Sequence, residues 1–136
     1  VLSAVVKRRG KTDVSRFRAQ QAAVGDGIRE FIGRFGEKKV AVWGAGHQAL
    51  AILALTGIAD KIRYVVDSAP FKQGKYTPAT HLPVVPPAAL RSDPVEAVIV
   101  MAASYSDEVA GILRRDFSPL LKIAVLRDTG LEMAGE

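Results

Sequence analysis

The chain of 136 residues, 49% hydrophobic and 24% charged, has the size and balance of one globular domain with a buried core. It holds no cysteine, which excludes disulfides and cysteine-ligated zinc, and no apolar run approaches the ~20 residues that cross a bilayer. The net charge of +5 invites nucleic-acid binding, yet Lys7, Arg8, Arg9 and Lys11 supply four of those five charges. That leaves +1 over residues 12–136, with no basic face interleaved with aromatics.

In chain order, residues 1–12 read as a tail or severed linker, and residues 13–136 as a single domain. Val1–Arg9 is apolar and then basic, the reverse of a secretory signal, which together with the lack of cysteine predicts a cytoplasmic setting. From Asp13, a plausible N-cap, apolar residues recur at helical spacing through Phe17, Val24, Ile28, Phe31, Ile32 and Phe35, with Gly36 as the stop. Lys39–Trp43 is a short apolar run suited to a buried parallel strand. A helix over 47–55, closed by Gly57, and a second strand over 62–66 follow. Segment 68–83, with Pro70, Gly74, Pro78 and Pro83, has no helical period and predicts a long loop. Leu82–Val85 suggests a short strand, and Pro86-Pro87 opens a small helix through Leu90. Val95–Met101, the most apolar run, predicts a central strand. A helix over 104–115 and a last strand over 121–126 complete the pattern.

Strands alternating with helices imply a three-layer α/β sandwich, Rossmann-like, with a mostly parallel sheet of about five strands and a long N-terminal helix. Ligands in such sheets sit at the carboxyl ends of the strands, near the reversal of strand order. The segments to read are therefore Gly44–Gln48, Asp67–Ser68 and Ala102–Tyr105.

Gly44, Gly46 and Ala49 match G-x-G-x-x-A between a strand and a helix. Such a turn admits phosphate to backbone N–H groups at the positive end of the helix, or merely permits tight strand–helix packing. His47 and Gln48 occupy the first helical turn, where they can reach a phosphate or sugar oxygen or simply face water. Asp67, 21 residues beyond Gly46, ends the second strand where an acid accepts from a ribose hydroxyl or caps the next turn. Lys72, Lys75, Tyr76, Thr80 and His81 in the long loop are further candidates for phosphate and hydroxyl groups, and the loop is expected across the carboxyl edge of the sheet, with at least one of the two lysines facing the glycine turn. Ser104 reads as an N-cap with Asp107 as its capping-box partner, and Tyr105 as a cleft residue. His47 and His81 do not make a metal site, and no pair of residues has catalytic spacing.

Val40-Ala41-Val42-Trp43-Gly44-Ala45-Gly46, Tyr64-Val65-Val66-Asp67, Lys72-Gln73-Gly74-Lys75-Tyr76-Thr77-Pro78 and Thr80-His81-Leu82-Pro83 together resemble the C-terminal domain of SAM-dependent sugar C-methyltransferases. The resemblance spans about residues 14–117. It implies an upstream cysteine-rich zinc segment and a central SAM-binding domain that carries the catalytic residues, none of which lies in this chain. It implies that this domain helps to hold a nucleotide sugar, with no cofactor of its own and SAM serving the full-length enzyme. Two motifs depart from the family. Pro78-Ala79-Thr80-His81 stands where Pro-Gly-Thr-His is usual, and Ala103-Ser104-Tyr105 where a Trp-Asn pair is frequent. The competing expectations are a stand-alone nucleotide or NAD-type binding module and a protein-docking domain. Neither nucleic acid nor a membrane is expected as a partner.

Overall fold

Val-rich runs of four to six residues, each bounded by a polar or glycine turn, have room only for strands, and the segments between them coil over the two sheet faces. The computed structural model describes Ala19 and residues 22–134. The expected tail over 1–12, the N-cap at Asp13 and the helical position of Phe17 lie outside the described residues. Helix α1 covers 22–32 of that range. It is followed by β1 (Val40–Trp43), α2 (His47–Thr56), β2 (Ile62–Val66), β3 (Val84–Val85), α3 (Ala89–Ser92), β4 (Ala97–Val100), α4 (Ser106–Asp116), β5 (Lys122–Arg127) and β6 (Gly130–Met133).

The sheet has six strands in the order β3-β2-β1-β4-β5-β6. All neighbours are parallel except β5 and β6. This is the strand order of a dinucleotide-binding fold, with its last crossover replaced by a hairpin. The sequence expectation of about five strands omits β6. Arg127 pairs with Gly130 across the two-residue turn Asp128-Thr129, and Gly130 adopts φ +128. So short a polar connection carries no strand period, and the Asp-Thr-Gly turn is its only signal.

Side chains alternate across the sheet and divide the core in two. Val40, Val42 and Ile99 point to the layer that holds Ile28, Phe31 and Ile32 of α1 with Ala49 and Leu53 of α2. Ala41, Trp43, Val98 and Val100 point to the layer of α4, against Val109, Ala110 and Leu113.

Helix α1 ends before the expected stop at Gly36. Arg34 N–H and Phe35 N–H turn to the carbonyls of Phe31 and Ile32, a tightened last turn that leaves Phe35 outside the helix. Gly25 lets α1 pass the end of α2, since a Cβ there would stand 3.2 Å from the Thr56 methyl. Arg29 then donates to the Thr56 carbonyl at 2.7 Å, satisfying an orphan group at the α2 C-terminus, and Gly57 closes α2 at φ +68.

Arg63 grips Asp93 through two nitrogens, and the Tyr64 hydroxyl donates to the Asp93 carbonyl at 2.5 Å. These bonds anchor α3 to β2. Tyr64 is 3% exposed, and burial, with the Asp93 charge, pushes its phenol up to about 12. The Arg63 guanidinium holds the Asp93 carboxyl below the usual carboxylate range.

Among the described residues no helix is long and apolar enough to cross a membrane.

Candidate ligand site at the carboxyl edge of the sheet

The first three strands are laid down in one direction from β1, and the chain then returns to the other side of β1 to place β4. Loops leaving β1 and β4 therefore diverge, and the turn after β1 lies at that divergence. Gly44 makes the turn possible. It adopts φ +127, and a Cβ there would stand 2.3 Å from the Met101 carbonyl oxygen. Its N–H donates to the Val66 carbonyl at 2.8 Å, so the turn is held between the exits of β2 and β4. Gly44 is a packing glycine.

Gly46 differs. It is exposed, extended at φ -85 and ψ 178, and a Cβ would meet nothing within 4 Å. It is the N-cap of α2, no side chain caps that end, and the first turn carries no acid. The first N–H groups of a helix have no intrahelical acceptor, so this end presents donors and a positive dipole to open space. His47 and Gln48 are both exposed beside it.

Asp67 leaves β2 with its carboxylate turned onto this structure. Oδ2 accepts from Ala45 N–H at 2.9 Å, and Oδ1 accepts from Ala69 N–H at 2.8 Å, closing an Asx turn. Gln73 donates to the Asp67 carbonyl at 2.8 Å. The Lys72 ammonium stands 3.7 Å from Asp67 Oδ2 and 3.4 Å from the Ala45 carbonyl oxygen, with the exposed Phe71 ring 5.8 Å away. Segment 67–73 is thus folded against the glycine turn.

The remainder of the long loop goes elsewhere. Gly74 N–H donates to the Val84 carbonyl, Val84 N–H to Lys75, and Thr77 N–H to Leu82, while Tyr76 bridges Pro83 in antiparallel sense. Residues 74–77 and 82–84 form an irregular hairpin that covers the outer edge of β3. At ~4.8 Å per strand it lies about three strand spacings from β1. Of the two loop lysines, Lys72 therefore faces the glycine turn, as expected, while Lys75, Tyr76, Thr80 and His81 belong to the hairpin on the β3 side. Tyr76 and His81 instead stack on each other at 4.4 Å and 6°. Thr80 bonds the buried Thr77 hydroxyl, which accepts from Leu82 N–H. The proline and glycine content predicted a loop, and the edge pairing followed from no side-chain pattern.

On the β4 side, residues 103–105 form a single 3-10 turn before α4. Ser104 is exposed and makes no cap, which corrects its expected role. The buried residue is Ser106, whose hydroxyl accepts from Ala102 N–H at 3.1 Å. Asp107 pairs with Arg127 instead of closing a capping box. Neither serine caps α4, whose N-cap position is Tyr105, so the Ser-x-x-Asp pattern marks the start of the helix without closing a box. Tyr105 is 67% exposed at the same edge as Gly46.

An open hollow of about 620 Å³ lies at the opposite, amino edge of the sheet, between Phe35, Leu90, Phe117 and Leu121. No group of acids and histidines among the described residues is placed to hold a metal.

Residues 8–117 match the family model described as the C-methyltransferase C-terminal domain. Among solved structures, the chain resembles UDP-D-quinovosamine 4-dehydrogenase from Vibrio fischeri. The TM-score is 0.55 at 16% identity, covering 74% of this chain and 95% of that one. No curated protein sequence matches significantly.

Proposed function

This chain belongs to the family of C-methyltransferase C-terminal domains, and from that premise we propose that it is the non-catalytic, ligand-holding domain of a SAM-dependent sugar C-methyltransferase. The ligand is a nucleotide sugar or a similar phosphorylated molecule, and it is held at the glycine turn. The observation that carries this reading is the contrast between the two glycines. Gly44 is packed against Met101, whereas Gly46 faces open space at an uncapped helix N-terminus. That is the geometry in which backbone donors and a helix dipole receive a phosphate.

His47 and Gln48 are exposed on the first turn of α2 beside Gly46, and Ser104 and Tyr105 are exposed in the turn after β4 on the same edge of the sheet. The dehydrogenase neighbour is named for a UDP-sugar, and at 16% identity it lends the fold alone. Methyl transfer belongs to an upstream domain in this reading. In this reading the SAM site lies in that upstream domain too, and the ligand expected here is the nucleotide sugar.

A thermal-shift panel of nucleoside diphosphate sugars, dinucleotides and SAM tests the proposal. A ligand that binds the native state raises its melting temperature. The expected result is a rise with nucleotide sugars and none with SAM. A rise with SAM would make this the cofactor domain, and a rise with dinucleotides alone would favour an NAD-type module.

A further inference from the structure

The hollow at the amino edge of the sheet lies between Phe35, Leu90, Phe117 and Leu121, and Leu120 stands on its rim. Leu120 is 83% exposed, more than any other large apolar residue among those described. One exposed leucine is ordinary, but this one is also held in place. Its N–H donates to Ser118 Oγ at 3.1 Å, and Leu121 N–H donates to the Ser118 carbonyl at 3.1 Å. Pro119 stiffens the same turn. The adjoining wall is fixed too. The Arg91 guanidinium lies over the Phe117 ring at 4.6 Å and donates to the Asp116 carbonyl at 2.8 Å. A projection held this way loses little freedom on docking.

Two charges border the hollow at the entries of β4 and β5. Lys122 N–H donates to the Glu96 carbonyl at 3.0 Å, so the two residues are neighbours. Both are exposed, and neither side chain joins an ion pair among the described residues.

We infer that this edge is the interface of a two-fold dimer, and that its occupant is a second copy of this chain. In a two-fold contact each copy offers what it receives, so a projection and the hollow that takes it must share one patch. Leu120 and the hollow do. Under that symmetry Leu120 of each copy enters the hollow of the other, and Glu96 meets Lys122 of the partner subunit. Arg91 and Lys122 balance Glu96 and Asp116 around the hollow, so the patch does not repel its own copy. Twelve residues line it, about half of the 20–30 a side in a standard interface. The dimer is therefore weak and reversible, with a Kd on the order of 10–100 µM. Joined at their amino edges, the two copies turn their carboxyl edges outward and leave both glycine turns open.

Sedimentation equilibrium of the full 136-residue chain, from well below to well above that Kd, tests the interface. The variants are Leu120→Asp, Glu96→Lys, Lys122→Glu and the Glu96→Lys/Lys122→Glu double, each checked for folding by circular dichroism. The wild-type mass should rise from monomer to dimer and stop there. Leu120→Asp should weaken association at least about tenfold, since it puts a charge into an apolar hollow. Each single reversal should weaken it about three- to tenfold, and the double reversal should restore most of the loss. A wild-type chain that stays monomeric overturns the inference and leaves the hollow to a different partner. A dimer that Leu120→Asp does not weaken places the contact on another face, and a mass that grows beyond the dimer makes it head-to-tail. Either result also overturns the inference, as does a double reversal that recovers nothing.

Discussion

Gly44 and Gly46 stand two residues apart in one motif and answer to different constraints. Replacing Gly44 by Ala forces a side chain into φ +127 and into the Met101 carbonyl. Strain of ~1–3 kcal/mol and overpacking of similar size predict a loss near 3 kcal/mol in denaturant unfolding. Gly46→Val should leave stability within about 1 kcal/mol, because its Cβ meets nothing, while weakening any phosphate ligand whose path it blocks. Equal destabilisation by both variants would mean that the motif serves packing alone. Ala79 poses the converse case. It sits at φ +63, a left-handed conformation that favours glycine. Left-handed backbone costs a non-glycine residue ~1–2 kcal/mol, and glycine's freer unfolded chain returns ~0.4–1 of that. Ala79→Gly should therefore stabilise the domain by about 0.5–1 kcal/mol, read as a higher denaturant midpoint at unchanged slope. A lower midpoint would show that the Tyr76–His81 hairpin tolerates the alanine without strain.

At the scale of elements, α3 is only four residues long and is held by what β2 offers it. Tyr64 and Arg63 meet Asp93 at its carbonyl and its carboxylate. A phenol raised to about 12 is protonated in the folded state over a range where the unfolded chain, at about 10, has lost its proton. The unfolded state then binds fewer protons, so this contribution is complete below pH 10 and is lost as pH rises through 12. An ultraviolet titration of the three tyrosines should show one step near pH 12. Tyr64→Phe should abolish it and cost roughly 1 kcal/mol by removing the donor to the part-buried Asp93 carbonyl. Persistence of the late step in that variant would assign it to another tyrosine. Apolar runs bounded by glycine and proline made β1, β2, β4 and β5 legible in the sequence, because a buried parallel strand has few other ways to be written. Helix α2 was legible through Gly46 and Gly57 at its ends. What escaped was set by backbone pairing and not by side-chain pattern: β6 through a two-residue turn, and segment 74–77 through the free edge of β3. Neither has a period of its own to detect.

For the whole molecule, the sheet order places one edge at the divergence of the β1 and β4 loops and leaves the apolar hollow at the other. The motif sequence was enough to locate Gly46, Asp67 and Lys72 near one another, since strand ends in a parallel sheet share an edge. It was not enough to divide the long loop, whose second half departs for the β3 side. Nor could it tell that Asp67 would turn its carboxylate back onto Ala45. The role proposed for the edge around Gly46 is to receive a phosphorylated ligand. The most direct measurement is an amide-resolved NMR titration of the isotope-labelled chain with a nucleoside diphosphate sugar. Binding at this edge predicts saturable shifts concentrated at Gly46, His47 and Gln48, with smaller ones at Asp67–Lys72 and Ser104–Tyr105. Shifts confined to Phe35, Phe117 and Leu121 at the opposite edge, or none at millimolar ligand, would contradict it.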